Sequence, residues 1–568
     1  MAVVLGISAY YHDAAAALVV DGHILAAQQE ERLSRIKNDS SLPRGAIDAC
    51  LALGGIKRGE LDRVVFYENP YRKLERVLVG SLSAFPRGAR FFRRALRSQL
   101  GEKLWVLDAL SDYCEVDRKS VHFVDHHESH AASALWCAPF DDAVALTVDG
   151  VGEEETTAIW TMAEGRPKRV ASLGHPHSLG LFYAAITAYL GFRVNEGEFK
   201  VMGLAAFGEP RFAAEMAALL KPMEAGSFAL NARAFGDHLD VDKAFGPEFI
   251  RRLGKPRDPG REWNLDDTED KRFADVAASA QLALEEAMLR LARQAQERSG
   301  ARHLALAGGV ALNCRANARL LAETEFERVF VQPAAGDAGG ALGAALLGAS
   351  DEGDDVSGAW RAFVPGLGVA ADPSKAMQVA RHLGLQAERV ADPHAECAER
   401  LHAGEIVAWV SGRAEWGPRA LGHRSLLTRA DDPALRDTLN RRIKGREAFR
   451  PFAPVMLEAA AGPLVDGAPN DMTPSMTTTC NVVDRRALAA CTHIDGTARV
   501  QTVGAGGALE GLLNAASKRG MPALLNTSLN AAGEPLVAHV TDALDFFMRR
   551  KPDALFVEDV LITREPRP

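Results

Sequence analysis

Two stretches of this sequence read alike, and that repeat constrains the fold more than any other feature. Val3 to Ser8 is an apolar run of strand length, a polar turn follows, Ala15 to Val20 is a second run, and Asp21-Gly22 marks a hairpin into a third. The pattern returns at Ala143 to Val148, with the turn Asp149-Gly150-Val151-Gly152 and another strand around Thr156 to Thr161. Two β-meanders of one design predict an internal duplication. Helical stretches follow them, notably Phe273 to Ser299, where Ala, Leu and Glu recur at helical spacing. A buried-type strand at Leu304 to Leu306 then runs into Ala307-Gly308-Gly309-Val310.

The chain has 568 residues, more than the roughly 250–300 at which a single core stops growing, so at least two domains are expected. From about Ala349 to Ser357 it is acidic and Gly-rich, which places the boundary between a domain at 1–352 and a second α/β region at 353–568. No apolar run approaches the ~18 residues of a membrane span, and no basic region precedes Met1-Ala2-Val3, so a cytoplasmic protein is expected. Seven scattered cysteines without C-x-x-C spacing read as reduced, structural thiols. The formal net charge of −9 opposes general binding to a phosphate backbone, so neither nucleic acid nor membrane is an expected partner. Arg87, Arg90, Arg93, Arg94 and Arg97 interleave with Phe91, Phe92 and Leu96 like a basic amphipathic helix, read as a solvated face with a docking surface as the alternative.

The most specific local signal is His126-His127-Glu128-Ser129-His130, because residues four apart on a helix share a face and both imidazoles can reach one ion. It is not the H-E-x-x-H zinc-protease pattern, since His127 takes the second place. Acidic residues expected at strand ends complete a set: Asp149 opens a Gly turn and Asp337 sits in Ala-Gly-Asp-Ala-Gly-Gly. Two imidazoles and two carboxylates suit iron, manganese or zinc acting as a Lewis acid, although turn chemistry also explains the aspartates. His12-Asp13, between the first two strands, is either a hydroxyl-activating base or a turn-stabilising pair. Lys200 offers a point charge to phosphate, or sits in a surface ion pair. Gly308-Gly309, Gly336 and Gly339-Gly340 leave room for close backbone approach to an anion, though tight turns need glycine anyway.

The second region gathers Arg413, Arg419, Arg424, Arg429, Arg436, Arg441, Arg442, Lys444, Arg446 and Arg450. In Trp416-Gly417-Pro418-Arg419-Ala420 and Phe449-Arg450-Pro451-Phe452 the guanidinium is flanked by rigid or apolar residues, where an unpaired charge is costly and an oxyanion is the natural counter-ion. Arg419, Lys444, Arg450 and Arg499 are the expected anion contacts, while Arg436, Arg441 and Arg442 read as surface residues. Leu525-Asn526-Thr527-Ser528-Leu529-Asn530 supplies amide and hydroxyl donors to the same pocket.

Taken together, these segments resemble the NodU/CmcH O-carbamoyltransferases, the family that includes tobramycin carbamoyltransferase, over essentially the full chain. The resemblance rests on HDAAAAL from His12, EERLSR from Glu30, HHESHAASA from His126, VDGVGEEE from Val148, KVMGLAAFG from Lys200, AGGVALN from Ala307, GPRALGHRSLL from Gly417, RPFAPVML from Arg450 and LNTSLN from Leu525. It implies a duplicated actin-like domain of the threonylcarbamoyl-transferase type at 1–352 and a YrdC-like α/β domain at 353–568. It also implies that carbamoyl phosphate and ATP, with Mg2+, form a carbamoyl-adenylate in the second domain, and that transfer to a small hydroxylated acceptor, such as a natural product in antibiotic biosynthesis, occurs in the first. By similarity His126, His130, Asp149 and Asp337 hold a metal, expected to be Fe2+, and Arg419, Lys444, Arg450 and Arg499 hold carbamoyl phosphate. Gly308, Gly309, Asn313, Asn526 and Ser528 are the expected nucleotide contacts, and His12 and Lys200 the catalytic residues. One departure stands out: relatives commonly carry an arginine two residues after the last Asn of LNTSxN, where this chain has Ala532, which implies one basic contact fewer.

Three other readings compete less well. The acidic charge disfavours tRNA threonylcarbamoylation, hydrogenase maturation would bring C-x-x-C zinc sites, and a non-catalytic nucleotide-binding scaffold would not need ligands and arginines together. The acceptor is not legible, because pocket shape depends on segments such as Glu68 to Ser111 and Gly226 to Asn264, and the oligomeric state stays open, with a homodimer among the options.

Overall fold

β1 (Val3–Ser8) is the middle strand of a five-stranded sheet that also holds β2 (Ala15–Val20), β3 (His23–Gln29), β4 (Arg63–Phe66) and β5 (Val121–Phe123), in the order β3-β2-β1-β4-β5. Asp21 and Gly22 both take positive φ, as the expected tight hairpin requires. The second sheet repeats the design. β6 (Ala143–Val148) is central, β7 (Glu155–Ala163) and β8 (Arg166–Gly174) run antiparallel on one side, and β11 (His303–Ala307) and β12 (Arg328–Val331) lie parallel on the other. A separate antiparallel pair, β9 (Leu220–Pro222) and β10 (Phe228–Leu230), stands between β8 and β11 in the chain. The expected duplication is thus visible as topology, each half a meander followed by two parallel strands. That is the actin-like arrangement. The computed structural model describes residues 2–83, 103–223, 227–231, 234–235, 244–360 and 363–564. The basic segment around Arg87 to Arg97 lies outside these described residues.

Strands β1, β6 and β11 are buried almost throughout, and they read as continuous apolar runs rather than as alternation. Five helices position the chemistry: α1 (Pro70–Ser83), α2 (His126–Leu135), α3 (Thr268–Ser299), α4 (Cys314–Glu323) and α5 (Asp337–Asp351). α3 starts earlier than its periodicity suggests, where the Asp267 side chain accepts the Glu269 N–H. α5 lies hard against α2: a Cβ on Gly343 would fall 1.7 Å from the carbonyl oxygen of Ser129.

The chain divides into two compact units. One comprises Met1–Tyr11, Ala16–Ile24 and Gly55–Arg361; the other comprises His12–Ala15, Leu25–Gly54 and Ala362–Pro568. The second unit is built on an eight-stranded mixed sheet of β14 (Gln386–Arg389), β15 (Val407–Val410), β17 (Arg424–Arg429), β18 (Ala453–Leu457), β22 (Gln501–Val503), β23 (Ala523–Ser528), β24 (Ala554–Val557) and β25 (Val560–Thr563), in the order β14-β25-β24-β15-β17-β23-β18-β22. Smaller sheets join β13 (Gly366–Ala370) to β16 (Arg413–Glu415), and β19 (Val465–Asp466) to β20 (Cys480–Val482) and β21 (Thr497–Ala498). The side-chain period of two is explicit in β15: Ala408 and Val410 enter one core while Val407 and Trp409 enter another. Among the described residues no helix is long and apolar enough to cross a membrane, and all seven cysteines are buried and unbridged.

Candidate functional site

In the first unit, four potential metal ligands converge from three elements. α2 puts His126 and His130 on one buried face, at 2% and 0% exposure. Asp149 follows directly on β6. Its Oδ1 accepts the N–H groups of Gly150 at 2.8 Å and Gly309 at 3.2 Å, which leaves Oδ2 at 2.8 Å from His126 Nε2 and 3.3 Å from His130 Nε2. Asp337 is not at a strand end, as expected from the sequence, but is the first residue of α5, because the chain runs through a turn between Val331 and the helix. Its Oδ1 is 3.9 Å from both Nε2 atoms, and its Oδ2 accepts from the Tyr67 hydroxyl at 3.4 Å. One ligand atom from each of the four residues lies within 4.8 Å of the other three. An ion with bonds of about 2.1 Å draws such a set together.

The electrostatics fit a cation. Burial alone would lower the His126 pKa, but the hydrogen bond to Asp149 and the charge of Asp337 outweigh it and raise the value to about 9. Burial would raise the Asp149 carboxyl, and its bonds to His126 and His130 instead hold it well below the usual carboxylate range. Two imidazole nitrogens 3.2 Å apart cannot both carry protons without repulsion, which one divalent ion relieves. The Nδ1 atoms of His126 and His130 are buried without a hydrogen-bond partner, so the Nε2 atoms are the ones that face the carboxylates.

Glu153, which sequence reasoning assigned no role, clamps this centre. It is fully buried, and its carboxylate accepts the His126 backbone N–H at 3.1 Å and the Asn69 N–H at 2.7 Å. Asp125, the residue that should cap α2, makes no cap bond and pairs with Arg72 instead, so Glu153 caps the ligand helix from the Asp149 turn. His127 is held between Thr147 Oγ1 and the Glu155 carbonyl, and burial pushes its pKa far down, so this imidazole is a neutral structural one. Glu68 and Lys73 form a buried ion pair nearby.

The remaining expected site residues are placed separately. Gly309 supports Asp149, as described. Asn313 caps α4 and exchanges two hydrogen bonds with Gln281, at 2.9 and 3.0 Å. Lys200, in the helix Glu198–Leu204, holds its Nζ 5.4 Å from the Phe192 ring centroid. His12 belongs to the second unit, where its Nδ1 lies 3.0 Å from Asp13 Oδ2.

In the second unit the sheet registers bring the cationic motifs to one end. β23 runs antiparallel to both β17 and β18, with Ser425 opposite Ser528 and Ala453 opposite Asn526, and β22 runs parallel to β18. The loop before β17 that carries Arg419, the Arg450 segment before β18, Arg499 before β22 and Ser528 at the end of β23 therefore share one edge. Asn526 Nδ2 bonds the Ala420 carbonyl at 3.1 Å and Gln501 Oε1 at 2.7 Å, tying three of these segments together. Lys444 is buried, with Nζ at 2.6 Å from Ser528 O and 2.8 Å from both Asn530 O and Asn530 Oδ1. Burial and then Arg446 and Arg450 push its pKa well down. Burial, partly offset by Glu447 and added to by Arg499, lowers Arg450 to about 10. Arg446 was not among the expected contacts, yet it faces Arg450 and Arg499 electrostatically while stacking on Phe452 at 4.0 Å and donating to Asn440 Oδ1 at 2.7 Å. Its neighbours Arg441 and Arg442 are exposed, as the helical spacing suggests.

Comparison with known proteins finds a family model described as Carbamoyltransferase N-terminus over residues 3–346, and one described as Carbamoyltransferase C-terminus over 398–564. A Synechocystis protein, sll1178, is 37% identical across 100% of this chain and 97% of its own length. Nodulation protein NolNO of Sinorhizobium fredii is 35% identical over 98% of this chain and 79% of its own. The 3'-hydroxymethylcephem-O-carbamoyltransferase of Amycolatopsis lactamdurans is 29% identical over 97% and 98% respectively.

Proposed function

The chain belongs to the carbamoyltransferase family of NodU/CmcH type, and on that premise we propose that it moves the carbamoyl group of carbamoyl phosphate, through an ATP-derived carbamoyl-adenylate, onto a hydroxyl of a small-molecule acceptor. The observation that carries the reading is the crowding of Lys444, Arg446, Arg450 and Arg499 in the second unit, where each cation raises the electrostatic cost of the next. A phosphate dianion is the counter-charge such a cluster calls for, and guanidinium groups meet its oxygens in pairs.

In the proposed sequence, water releases inorganic phosphate from carbamoyl phosphate, and the carbamate oxygen displaces pyrophosphate from the α-phosphorus of ATP. The acceptor oxygen then attacks the carbonyl carbon and AMP leaves. Arg419, Arg450 and Arg499 orient the donor, with Lys444 holding the Ser528–Asn530 segment beside them. The proposed nucleotide contacts are Gly308, Gly309 and Asn313 in the first unit and Asn526 and Ser528 in the second. His12 takes the hydroxyl proton, and Lys200 offers a point charge to phosphate or substrate. His126, His130, Asp149 and Asp337 would hold a divalent ion, for which iron is the expectation, and when bound it supplies Lewis-acid polarisation of a carbonyl or phosphoryl oxygen.

The test is a turnover assay with labelled carbamoyl phosphate, ATP and pooled hydroxylated compounds, followed by mass spectrometry. Label in one product, with one AMP and one pyrophosphate formed per transfer, is the expected result. Transfer that proceeds without ATP removes the adenylate, and no transfer to any hydroxyl removes the reading. Elemental analysis of the purified protein and of His126→Ala identifies the ion, with loss of at least tenfold in bound metal expected in the variant.

A further inference from the structure

The loop that carries Arg419 is wound around a single buried carboxylate. Glu415 ends β16 and is 1% exposed. Its Oε1 accepts the backbone N–H groups of Leu421 at 2.9 Å, His423 at 2.8 Å and Arg424 at 2.8 Å. Three donors on one oxygen leave the returning half of the loop little freedom. The reversal is made at Gly422, whose φ of +107° strains any residue with a side chain and whose missing Cβ would stand 2.6 Å from Leu509 Cγ.

The outgoing half is held from a distant part of the sequence. Arg32, 2% exposed, donates to the carbonyls of Glu415 and Gly417. Ala420 and Leu421 are held in turn by Asn526 Nδ2 at 3.1 Å and Gln501 Nε2 at 3.0 Å. Glu415 Oε2 is buried without a hydrogen-bond partner, and the charge is offset by neighbouring cations. Burial works against it, while His423, Arg424 and Arg32 together hold its pKa below the usual carboxylate value. Arg424 is fully buried and donates to the carbonyls of Ser411, Gly412, His423, Val369 and Ala538, so its positive charge is fixed beside the loop. The segment on either side of Arg419 is therefore built in advance of any ligand. A guanidinium on a preformed loop loses less conformational freedom on binding than one on a loop that must order first.

We propose that Glu415 is a positioning residue of the donor site, whose carboxylate gathers the Leu421, His423 and Arg424 N–H groups so that the Trp416–His423 loop presents Arg419 to the phosphate of carbamoyl phosphate. This rests on the reading above that Arg419 meets that phosphate.

The experiment compares the full-length protein with Glu415→Ala, Glu415→Gln and Arg419→Gln. Carbamoyl phosphate and inorganic phosphate affinities are measured by calorimetry, KM and kcat by turnover, and amide exchange by mass spectrometry over the loop peptide. Glu415→Ala is expected to raise KM for carbamoyl phosphate at least tenfold with a smaller change in kcat. It is also expected to speed exchange at Leu421, His423 and Arg424, while peptides from the rest of the unit keep their protection. Glu415→Gln retains an acceptor oxygen and is expected to recover most of the protection and part of the affinity. Wild-type KM in Glu415→Ala overturns the inference, as does exchange that quickens across the unit with no excess in the loop. Arg419→Gln separates the two levels. If it weakens binding while Glu415→Ala does not, only the positioning role is lost. If it leaves binding unchanged, the donor role of Arg419 is wrong and the inference goes with it.

Discussion

Lys444 and Arg446 stand two residues apart and do different work. The Lys444 ammonium has three hydrogens, and four oxygens of Ser528 and Asn530 lie within 3.2 Å of it. Its first duty is to hold that segment, whose Ala532 N–H also bonds the Lys444 carbonyl at 3.0 Å. Lys444→Met is accordingly expected to leave buried acceptors unmet and cost about 3 kcal/mol of stability, read as a lower urea midpoint. Arg446 stacks its guanidinium on Phe452 and repels the charges of Arg450 and Arg499. Arg446→Gln is expected to lower stability by no more than about 1 kcal/mol, the worth of one ring contact, and to raise KM for carbamoyl phosphate severalfold, because the cluster loses one cation. Both residues were visible in the sequence as members of a basic run, but nothing in their spacing distinguished a cation set among cations from one that holds a segment in place. That distinction depends on which carbonyls of β23 stand beside each one.

The candidate metal centre depends on how closely two helices approach. α2 brings both histidines and α5 brings Asp337, and their crossing at Gly343 and Ser129 admits no side chain. Gly343→Ala must separate the helices, at an expected cost of about 3 kcal/mol. It should also weaken metal binding at least tenfold, measured by competition with a chromogenic chelator. The Glu153 clamp acts on the same helix at its first residue, His126. The histidine pair was legible because a spacing of four residues is a property of the helix itself. Asp149 was legible because a strand followed by a Gly-rich turn leaves its side chain at the sheet end. Glu153 was not, since VDGVGEEE contains three adjacent glutamates and only the path of the turn selects the first of them to cap α2 while Glu155 pairs with Arg169.

For the metal-free protein, the raised His126 pKa makes stability depend on pH. A folded-state value of about 9 against roughly 6.5 when unfolded means the contribution is complete below about pH 6.5 and disappears as pH rises through about 9. The depressed Asp149 carboxyl is the same interaction seen from the acid side, present above its unfolded value near pH 4 and lost as pH falls below it. Urea unfolding with a chelator present should therefore show up to about 3 kcal/mol less stability at pH 9.5 than at pH 6, a difference absent in His126→Ala. With metal bound the trend reverses, because the ion requires neutral His126 and protons compete with it. From the sequence alone follow the duplicated meanders, the histidine pair on one helix face and the arginine-rich segments, since hydrophobic period, helical spacing and turn chemistry are local properties of a chain. What holds those groups in place comes from residues far apart in sequence. Glu153 meets Asn69 and His126, Arg32 meets Glu415 and Gly417, and Asn526 meets Ala420 and Gln501. Such pairings depend on strand order and register, which appear only when the chain is packed and each buried polar group has to find its partner.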